Sequence, residues 1–337
     1  MKTTPSLPRR RFLRQLAALP LLALPACIAP NAANPRRAKT ILFLGDSITW
    51  AGTWVVHVEC WLRLAEPTLQ AEVINLGLPS ETVSGLSEPG HAGGAFPRPD
   101  LHERLGRALE KVRPDLVVAC YGMNDGIYHP WSEERGQRHF DGLQRLHDAV
   151  AAAGAAIVHL TPPVFDPLPL AGRTLPGGRD AYPQPYEGYD DVLARFDAWL
   201  IQQGQRKGWK VIPVHQPMRE FIAQARQADP KFVLAGDGVH PGPLGHWLMA
   251  RQLIRHWGGA DALVRSDSPD AVVAALQPKG PAMVALVTRR QNLLRDAWLS
   301  HVGHKRPGMA TGMPLEQAQA EAARLKVEMA ALLAPGR

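Results

Sequence analysis

Cysteine is scarce in this chain, with only three among 337 residues. Cys27 lies near the N-terminus, and Cys60 and Cys120 lie in the body of the chain. Two thiols cannot form the disulfide framework that holds small secreted domains together, and we expect no bridge between them. The fold must therefore rest on a hydrophobic core, for which a hydrophobic content of 45% is ordinary.

The body of the chain also lacks an excess of charge of either sign. The formal net charge of the whole chain is +7, but residues 1–27 carry five Lys and Arg and no acidic residue. Without them, 33 basic residues face 31 acidic residues, which leaves +2. A near-neutral body argues against a nucleic-acid partner, because such partners bind basic surfaces.

Other absences narrow the function further. No Gly-x-Gly-x-x-Gly follows the first predicted strand, which argues against a dinucleotide-binding fold. The histidines show no spacing typical of metal ligands, so we predict neither a metal nor another cofactor. The apolar stretch at residues 16–24 is too short for an ordinary transmembrane helix.

The N-terminus instead resembles an export signal. Residues 9–13, Arg-Arg-Arg-Phe-Leu, resemble a twin-arginine motif, and a short apolar stretch follows them. Residues 24–27, Leu-Pro-Ala-Cys, resemble a bacterial lipobox with Cys27 as the lipidated residue, although Pro25 departs from the usual small or aliphatic residue. We therefore expect an exported protein that is periplasmic or anchored in a bacterial membrane through Cys27.

Short apolar runs alternate with helical patterns along the rest of the chain. The runs that read as strands are residues 41–44, 72–75, 115–120, 156–160 and 209–214. This alternation predicts an α/β fold with a parallel sheet covered by helices on both faces. A long proline-rich loop at 161–185 has the length of a lid or binding loop. Two helical patterns beyond residue 260 are expected to pack on the domain or to serve association.

The first predicted strand runs directly into Gly45, Asp46 and Ser47. The small residues Gly45 and Ser47 permit a tight turn, which places Ser47 where a central strand ends and a helix begins. Functional crevices of open α/β sheets lie at that edge. Serine is also a favoured helix N-cap, so this segment alone leaves open whether Ser47 is a nucleophile or only a turn residue. Asp46 is expected to shape the turn.

Residues that could support a serine nucleophile lie in the loops after the second and third strands and in a loop near the end of the domain. His240 could act as the base, and Asp237, three residues earlier, could fix its tautomer. The backbone N–H groups of Ser47 and Gly77 and the side-chain amide of Asn124 could stabilise negative charge on a carbonyl oxygen. Each residue is a weak signal alone, but together they are the components of acyl transfer.

Four segments resemble, in order, the sequence blocks of the SGNH (GDSL-type) hydrolases. They are residues 45–48 (Gly-Asp-Ser-Ile), 75–77 (Asn-Leu-Gly), 122–125 (Gly-Met-Asn-Asp) and 237–240 (Asp-Gly-Val-His). The resemblance implies a flavodoxin-like, three-layer αβα sandwich with a five-stranded parallel sheet. It also implies Ser47, His240 and Asp237 as catalytic residues and Ser47, Gly77 and Asn124 as the oxyanion hole. Ser80 departs from the glycine that often stands in the second block, which leaves the shape of that loop open.

The predicted organisation follows from these patterns: an export signal at 1–27, a linker at 28–39, an SGNH hydrolase domain at 40–258 and a helical C-terminal extension at 259–337. We expect a serine esterase that hydrolyses a short-chain ester, such as acetyl, on a small molecule or carbohydrate. A lipase or lysophospholipase, an acyltransferase and a non-catalytic glycan-binding module are the alternatives. The oligomeric state stays open.

Several aromatic and histidine side chains were candidates for contact with the substrate. Those in or beside the long loop could stack on a sugar: Tyr182, Tyr186 and Tyr189. Those after the second and third strands could line the pocket: His91, Tyr128, His129 and Trp131. Packing roles are the alternative for all of them, and Asp125 is expected to shape its loop.

Overall fold

The structure is a computed structural model and describes residues 33–275 and 279–334. Its centre is a five-stranded parallel sheet with the strand order β2-β1-β3-β4-β5. The strands are β1 (Thr40–Gly45), β2 (Glu72–Asn75), β3 (Leu116–Cys120), β4 (Ala156–Leu160) and β5 (Lys210–Ile212). The predicted α/β fold with five parallel strands is confirmed.

Helices connect the strands and continue beyond the sheet. They are α1 (Ser47–Ala51), α2 (Thr53–Ala65), α3 (Leu101–Val112), α4 (Glu133–Ala152), α5 (Tyr189–Lys207), α6 (His215–Ala228), α7 (Pro243–His256), α8 (Asp261–Val264), α9 (Ala271–Ala275), α10 (Gly280–Val302) and α11 (Leu315–Leu333). Two short 3₁₀ helices, His91–Gly94 and Leu168–Leu170, lie in the loops. Within the described ranges, no helix has the length and apolar character needed to cross a membrane.

The sheet is buried on both faces, which makes the fold three-layered. Side chains along β1 alternate between two separate hydrophobic clusters: Ile41 and Phe43 belong to one, and Leu42 and Leu44 to the other. Successive side chains of a strand point to opposite faces, so a strand covered by helices on both sides is apolar throughout. This is why the predicted strands read as unbroken apolar runs.

The C-terminal helices α10 and α11 pack on the domain beside the edge strand β2. Gln291 of α10 donates a hydrogen bond to the carbonyl of Val73 in β2 at 3.1 Å. Arg290 of α10 donates to the buried carboxylate of Glu59 in α2 at 3.1 Å. The extension therefore covers an edge that would otherwise expose unpaired backbone groups. The predicted export signal and Cys27 lie outside the described residues, which begin at residue 33.

Candidate active site

Ser47 lies on the turn between β1 and α1, at the carboxyl edge of the sheet. Asp46 caps α1, and its Oδ1 accepts a hydrogen bond from the backbone N–H of Ile48 at 2.9 Å. A Cβ atom at Gly45 would meet the side-chain oxygen of Thr49 at 2.1 Å, so only glycine fits at this position. Asp46 therefore shapes the turn as predicted, and the turn presents Ser47 half-buried at the surface.

His240 and Asp237 lie in the loop before α7 and meet Ser47 across the edge of the sheet. Ser47 Oγ is 2.8 Å from His240 Nε2. His240 Nδ1 is 2.7 Å from Asp237 Oδ2. An ionised carboxylate can only accept hydrogen bonds, so the ring proton lies on Nδ1 and leaves Nε2 free to accept from the serine hydroxyl. The structure thus brings together three of the predicted site residues.

The loop that carries Asp237 is held by its own backbone. Oδ1 of Asp237 accepts hydrogen bonds from the backbone N–H groups of Val239 at 3.0 Å and His240 at 2.7 Å. Partial burial raises the pKa of the Asp237 carboxyl, but the hydrogen bonds from the His240 ring and from these two amides outweigh it and hold the pKa below its usual value. Gly238 turns the chain with a φ of +77°, a conformation that favours glycine.

The site is open to solvent. The side chain of His240 is 48% exposed and that of Asp237 is 56% exposed. Their imidazole and carboxylate therefore lie at the surface rather than in a closed cavity.

The two predicted backbone donors of the oxyanion hole differ in whether their N–H groups already have an acceptor. The N–H of Ser47 is the first of α1 and has no acceptor among the described residues. The N–H of Gly77 donates to Asn75 Oδ1 at 2.8 Å, so it is already engaged. A Cβ atom at Gly77 would meet the backbone nitrogen of Trp50 at 2.3 Å, which explains the need for glycine through close packing against α1. The role of Gly77 as a donor stays a prediction, and it requires Asn75 to release the amide.

Ser80 is a second candidate donor, and the sequence analysis missed it. It is the third residue of a turn closed by a hydrogen bond from the Glu81 N–H to the Leu78 carbonyl at 3.2 Å, with Pro79 as the second residue. Its φ of +69° is that of a type II turn, which favours glycine at this place. Within the described part of the chain, no acceptor engages the Ser80 N–H. The signal for this donor in the sequence was that Ser80 occupies the place where the second block of the SGNH hydrolases often has a glycine.

Asn124 is buried after β3, with 4% of its surface exposed. Its Oδ1 accepts hydrogen bonds from Arg98 Nη1 at 2.9 Å and from the Tyr128 hydroxyl at 3.1 Å. Its Nδ2 donates to the carbonyl of Glu81 at 3.2 Å. Because Glu81 directly follows Ser80, this contact brings the Asn124 amide to the loop that carries the Ser80 N–H.

Asp125 shapes the loop after β3, as predicted. Its Oδ1 accepts hydrogen bonds from the backbone N–H groups of Val83 at 2.9 Å and Ser84 at 2.7 Å. Burial raises the pKa of the Asp125 carboxyl, but the His139 ring and these hydrogen bonds outweigh it and lower the pKa below its usual value. The carboxylate therefore ties the loop after β2 to the loop after β3.

The aromatic residues proposed to stack on a sugar divide into two groups. Tyr189 is fully buried, and its hydroxyl bonds with the Met123 carbonyl at 2.9 Å and the Gly126 N–H at 3.0 Å. Its proposed role in stacking on a sugar is therefore wrong, because the ring is part of the core. Tyr182 and Tyr186 are half-exposed, so their stacking role stays a prediction.

The four candidates for lining the pocket are all held by protein contacts. Trp131 lies over Gly136, and its ring is tilted by 59° against that of Phe196, with 6.0 Å between the ring centroids. The rings of His129 and Tyr182 are 5.3 Å apart, and those of His91 and Phe96 are 5.2 Å apart. Only Tyr128 is bonded to a predicted site residue, through its hydroxyl on Asn124 Oδ1. In the described ranges, no group of His, Cys, Asp and Glu side chains is arranged to hold a metal ion.

Comparison with known proteins places the chain in a family. Residues 43–248 match the sequence profile of the GDSL-like lipase/acylhydrolase family. No curated protein matches the chain.

Solved structures are similar to the chain at low sequence identity. One is a mutant of an acetyl-xylooligosaccharide esterase from Geobacillus stearothermophilus, at 21% identity and a TM-score of 0.50, over 68% of this chain and 97% of that one. Another is a gut microbial diltiazem-metabolizing enzyme, at 18% identity and a TM-score of 0.47, over 65% of this chain. The chain spans 47%, about half, of the length of that enzyme. The chain belongs to the GDSL-like lipase/acylhydrolase family and is an ester-hydrolysing enzyme.

Proposed function

We propose that the protein is an exported serine esterase that releases a short acyl group, such as acetyl, from a carbohydrate ester. The observation that carries this proposal is the hydrogen-bonded chain from Ser47 Oγ to His240 Nε2 at 2.8 Å and from His240 Nδ1 to Asp237 Oδ2 at 2.7 Å. A serine hydroxyl needs a base to become a nucleophile. These hydrogen bonds place His240 beside Ser47 as that base, in the tautomer whose Nε2 can accept the serine proton.

Acylation begins when Ser47 Oγ attacks the carbonyl carbon of the ester. Its proton passes to His240 Nε2, and the imidazolium that forms is stabilised by the carboxylate of Asp237. The tetrahedral intermediate collapses, His240 returns the proton to the departing alkoxide, and the alcohol leaves. Water activated by His240 then attacks the acyl-serine, which releases the carboxylic acid and restores the hydroxyl of Ser47.

Negative charge develops on the carbonyl oxygen during both steps. The N–H of Ser47 and the Nδ2 of Asn124 are proposed to donate hydrogen bonds to it, together with a backbone N–H from the loop after β2. Ser80 offers a free N–H in that loop, whereas Gly77 must first lose Asn75. Losing one such donor typically lowers the rate by about 10²- to 10³-fold.

The substrate class rests on the openness of the site and on family analogy. The half-exposed side chains of His240 and Asp237 favour an ester on a bulky, polar alcohol over a long acyl chain that needs an apolar tunnel. The fold neighbour named as an acetyl-xylooligosaccharide esterase supports the same class. Tyr182 and Tyr186, half-exposed in the long loop, are the proposed platform for a sugar ring.

Export and membrane anchoring rest on the N-terminal sequence. The arginine motif and apolar stretch support export, and the lipobox-like segment supports lipidation of Cys27. Cell fractionation of wild type and Cys27→Ser tests this directly. The variant should move from the membrane fraction to the soluble periplasmic fraction, and a variant that stays membrane-bound like wild type contradicts the anchor.

Hydrolysis of p-nitrophenyl acetate by wild type and Ser47→Ala tests the catalytic proposal. The variant should lose turnover while its circular dichroism spectrum stays that of wild type. Ser300→Ala, which changes an exposed serine on α10, is the control and should keep wild-type turnover. Unchanged turnover in Ser47→Ala contradicts the mechanism. A panel of acyl-chain lengths and acetylated oligosaccharides then tests the substrate class, and a preference for long acyl chains contradicts it.

A further inference from the structure

We propose that Arg98 is a positioning residue that fixes the side-chain amide of Asn124 so that its NH₂ group faces the substrate oxygen. The inference rests on the proposed function, because it takes Asn124 as an oxyanion donor. It assigns a role to Arg98, which lies in the loop between β2 and α3 and outside the four family blocks.

The two ends of the Asn124 side chain have opposite partners. A guanidinium can only donate hydrogen bonds, so Arg98 Nη1, at 2.9 Å, requires the oxygen of the amide on its side. A backbone carbonyl can only accept, so the oxygen of Glu81, at 3.2 Å, requires the NH₂ group on the other side. A rotation of the amide by 180° would put donor against donor and acceptor against acceptor. One orientation is therefore selected from both ends.

Arg98 is itself held in place by several contacts. Its Nε and Nη2 donate to the two carboxylate oxygens of Glu88 at 2.7 Å and 2.6 Å, which leaves Nη1 directed at Asn124. Its backbone N–H donates to Ser87 Oγ at 2.9 Å. A bidentate arginine–carboxylate pair is planar and directional, so the guanidinium is preorganised before substrate binds.

Tyr128 is the third residue that contacts the Asn124 side-chain amide. Its hydroxyl donates to Asn124 Oδ1 at 3.1 Å, and its ring lies 5.3 Å from the Arg98 guanidinium carbon. Tyr128 has a φ of +58°, which is unusual for a residue other than glycine. Such backbone strain persists only where the surrounding structure enforces it, and the hydroxyl contact with Asn124 is one of the contacts that hold Tyr128.

The contribution of Arg98 should appear in turnover and not in substrate binding. Without Arg98, the amide loses the contact that holds its oxygen, and a fraction of molecules presents the oxygen instead of the NH₂ group to the developing charge. We expect Arg98→Met to lower kcat by about 10- to 100-fold with KM within about twofold, because part of the benefit of one oxyanion donor is lost.

A double-mutant cycle on p-nitrophenyl acetate tests the inference. The variants are Arg98→Met, Asn124→Ala and the double mutant. Arg107→Met is the matched control, since Arg107 also pairs with both oxygens of a glutamate but lies on α3 and contacts the C-terminal extension. Arg98→Met should have no further effect once Asn124 is alanine, whereas a merely structural effect is additive. Arg107→Met should leave kcat unchanged.

The results of the double-mutant cycle can overturn the role of Arg98 in two ways. An equal effect of Arg98→Met in both backgrounds, or no effect of Asn124→Ala, overturns the inference. If Arg98→Met does not fold by circular dichroism, Arg98→Lys serves instead. A lysine ammonium lacks the planar fork that pairs with both oxygens of Glu88 and directs a third donor at Asn124, so it should give a non-additive loss in the same direction. Turnover retained in Ser47→Ala overturns the proposed function itself. An inactive Ser47→Ala with an additive cycle overturns only the role of Arg98.

Discussion

Replacing Asp46 by asparagine should change how the free energy of unfolding depends on pH. The Asp46 side chain lies beneath the turn that presents Ser47 and is only 3% exposed. Burial raises its pKa from an ordinary value of 3.8 to about 7, although the hydrogen bond from the Ile48 N–H acts in the opposite direction. The folded protein therefore holds a proton at pH values where the unfolded chain has released it.

The sign and size of the effect follow from that difference. The free energy of unfolding falls as pH rises from about 4 to about 7, since the unfolded chain binds fewer protons there. Each pH unit contributes at most about 1.36 kcal/mol, so about three units amount to on the order of 4 kcal/mol. Asparagine has the same shape and can still accept from Ile48 through its Oδ1, but it has no proton to lose. The variant should lack this part of the decline.

Urea unfolding of wild type and Asp46→Asn at intervals between pH 4 and pH 7.5 measures the effect. The stability of the variant relative to wild type should rise with pH by up to about 4 kcal/mol. Other titrating groups, including the buried histidines, contribute to both proteins and cancel in the comparison. Asp141→Asn, at an exposed position on α4, is the control for the loss of one surface carboxylate. A constant difference between Asp46→Asn and wild type would contradict the prediction, because it would mean that the Asp46 carboxyl stays ionised in the fold.

Further predictions concern the proposed site and the packing around it. Asp237→Asn should lower kcat for p-nitrophenyl acetate by roughly 10³- to 10⁴-fold, because the amide can stabilise the wrong tautomer of His240; a loss below tenfold contradicts this. Arg290→Met should lower the free energy of unfolding in urea by about 1–3 kcal/mol, because the buried Glu59 loses one of its two cations and keeps Arg63; no change contradicts it. Gly142→Ala should also destabilise, by about 1–3 kcal/mol in the same assay, because the added methyl would lie 2.0 Å from a backbone oxygen; equal or higher stability contradicts that packing.

The sheet and the position of Ser47 could be predicted because their signals are local. Unbroken apolar runs mark strands that are buried on both faces, and Gly45 marks the tight turn after the first of them. Asp237 and His240 are three residues apart, so their mutual contact follows from one loop. Their contact with Ser47 spans 193 residues, and it was predicted from the chemistry that a serine nucleophile needs and from the resemblance to the four family blocks.

The parts that could not be predicted depend on contacts between distant loops. Arg98 reaches Asn124 across 26 residues from a loop that has no periodic pattern. The engagement of the Gly77 N–H depends on the rotamer of Asn75, which the sequence does not specify. Tyr189 was one of three candidates for stacking on a sugar, but it is the first residue of α5 and its ring is buried in the core. Burial of a single side chain at the end of an element is decided by tertiary packing.

The central claim is that Ser47 forms the covalent acyl-enzyme. A fluorophosphonate reacts irreversibly with an activated serine, so peptide mass spectrometry after labelling identifies the nucleophile. We expect one adduct, on Ser47, that forms in parallel with the loss of esterase activity and is absent from Ser47→Ala. An adduct on another residue that accompanies the loss of activity, or full labelling of Ser47→Ala, would show that Ser47 is not the nucleophile.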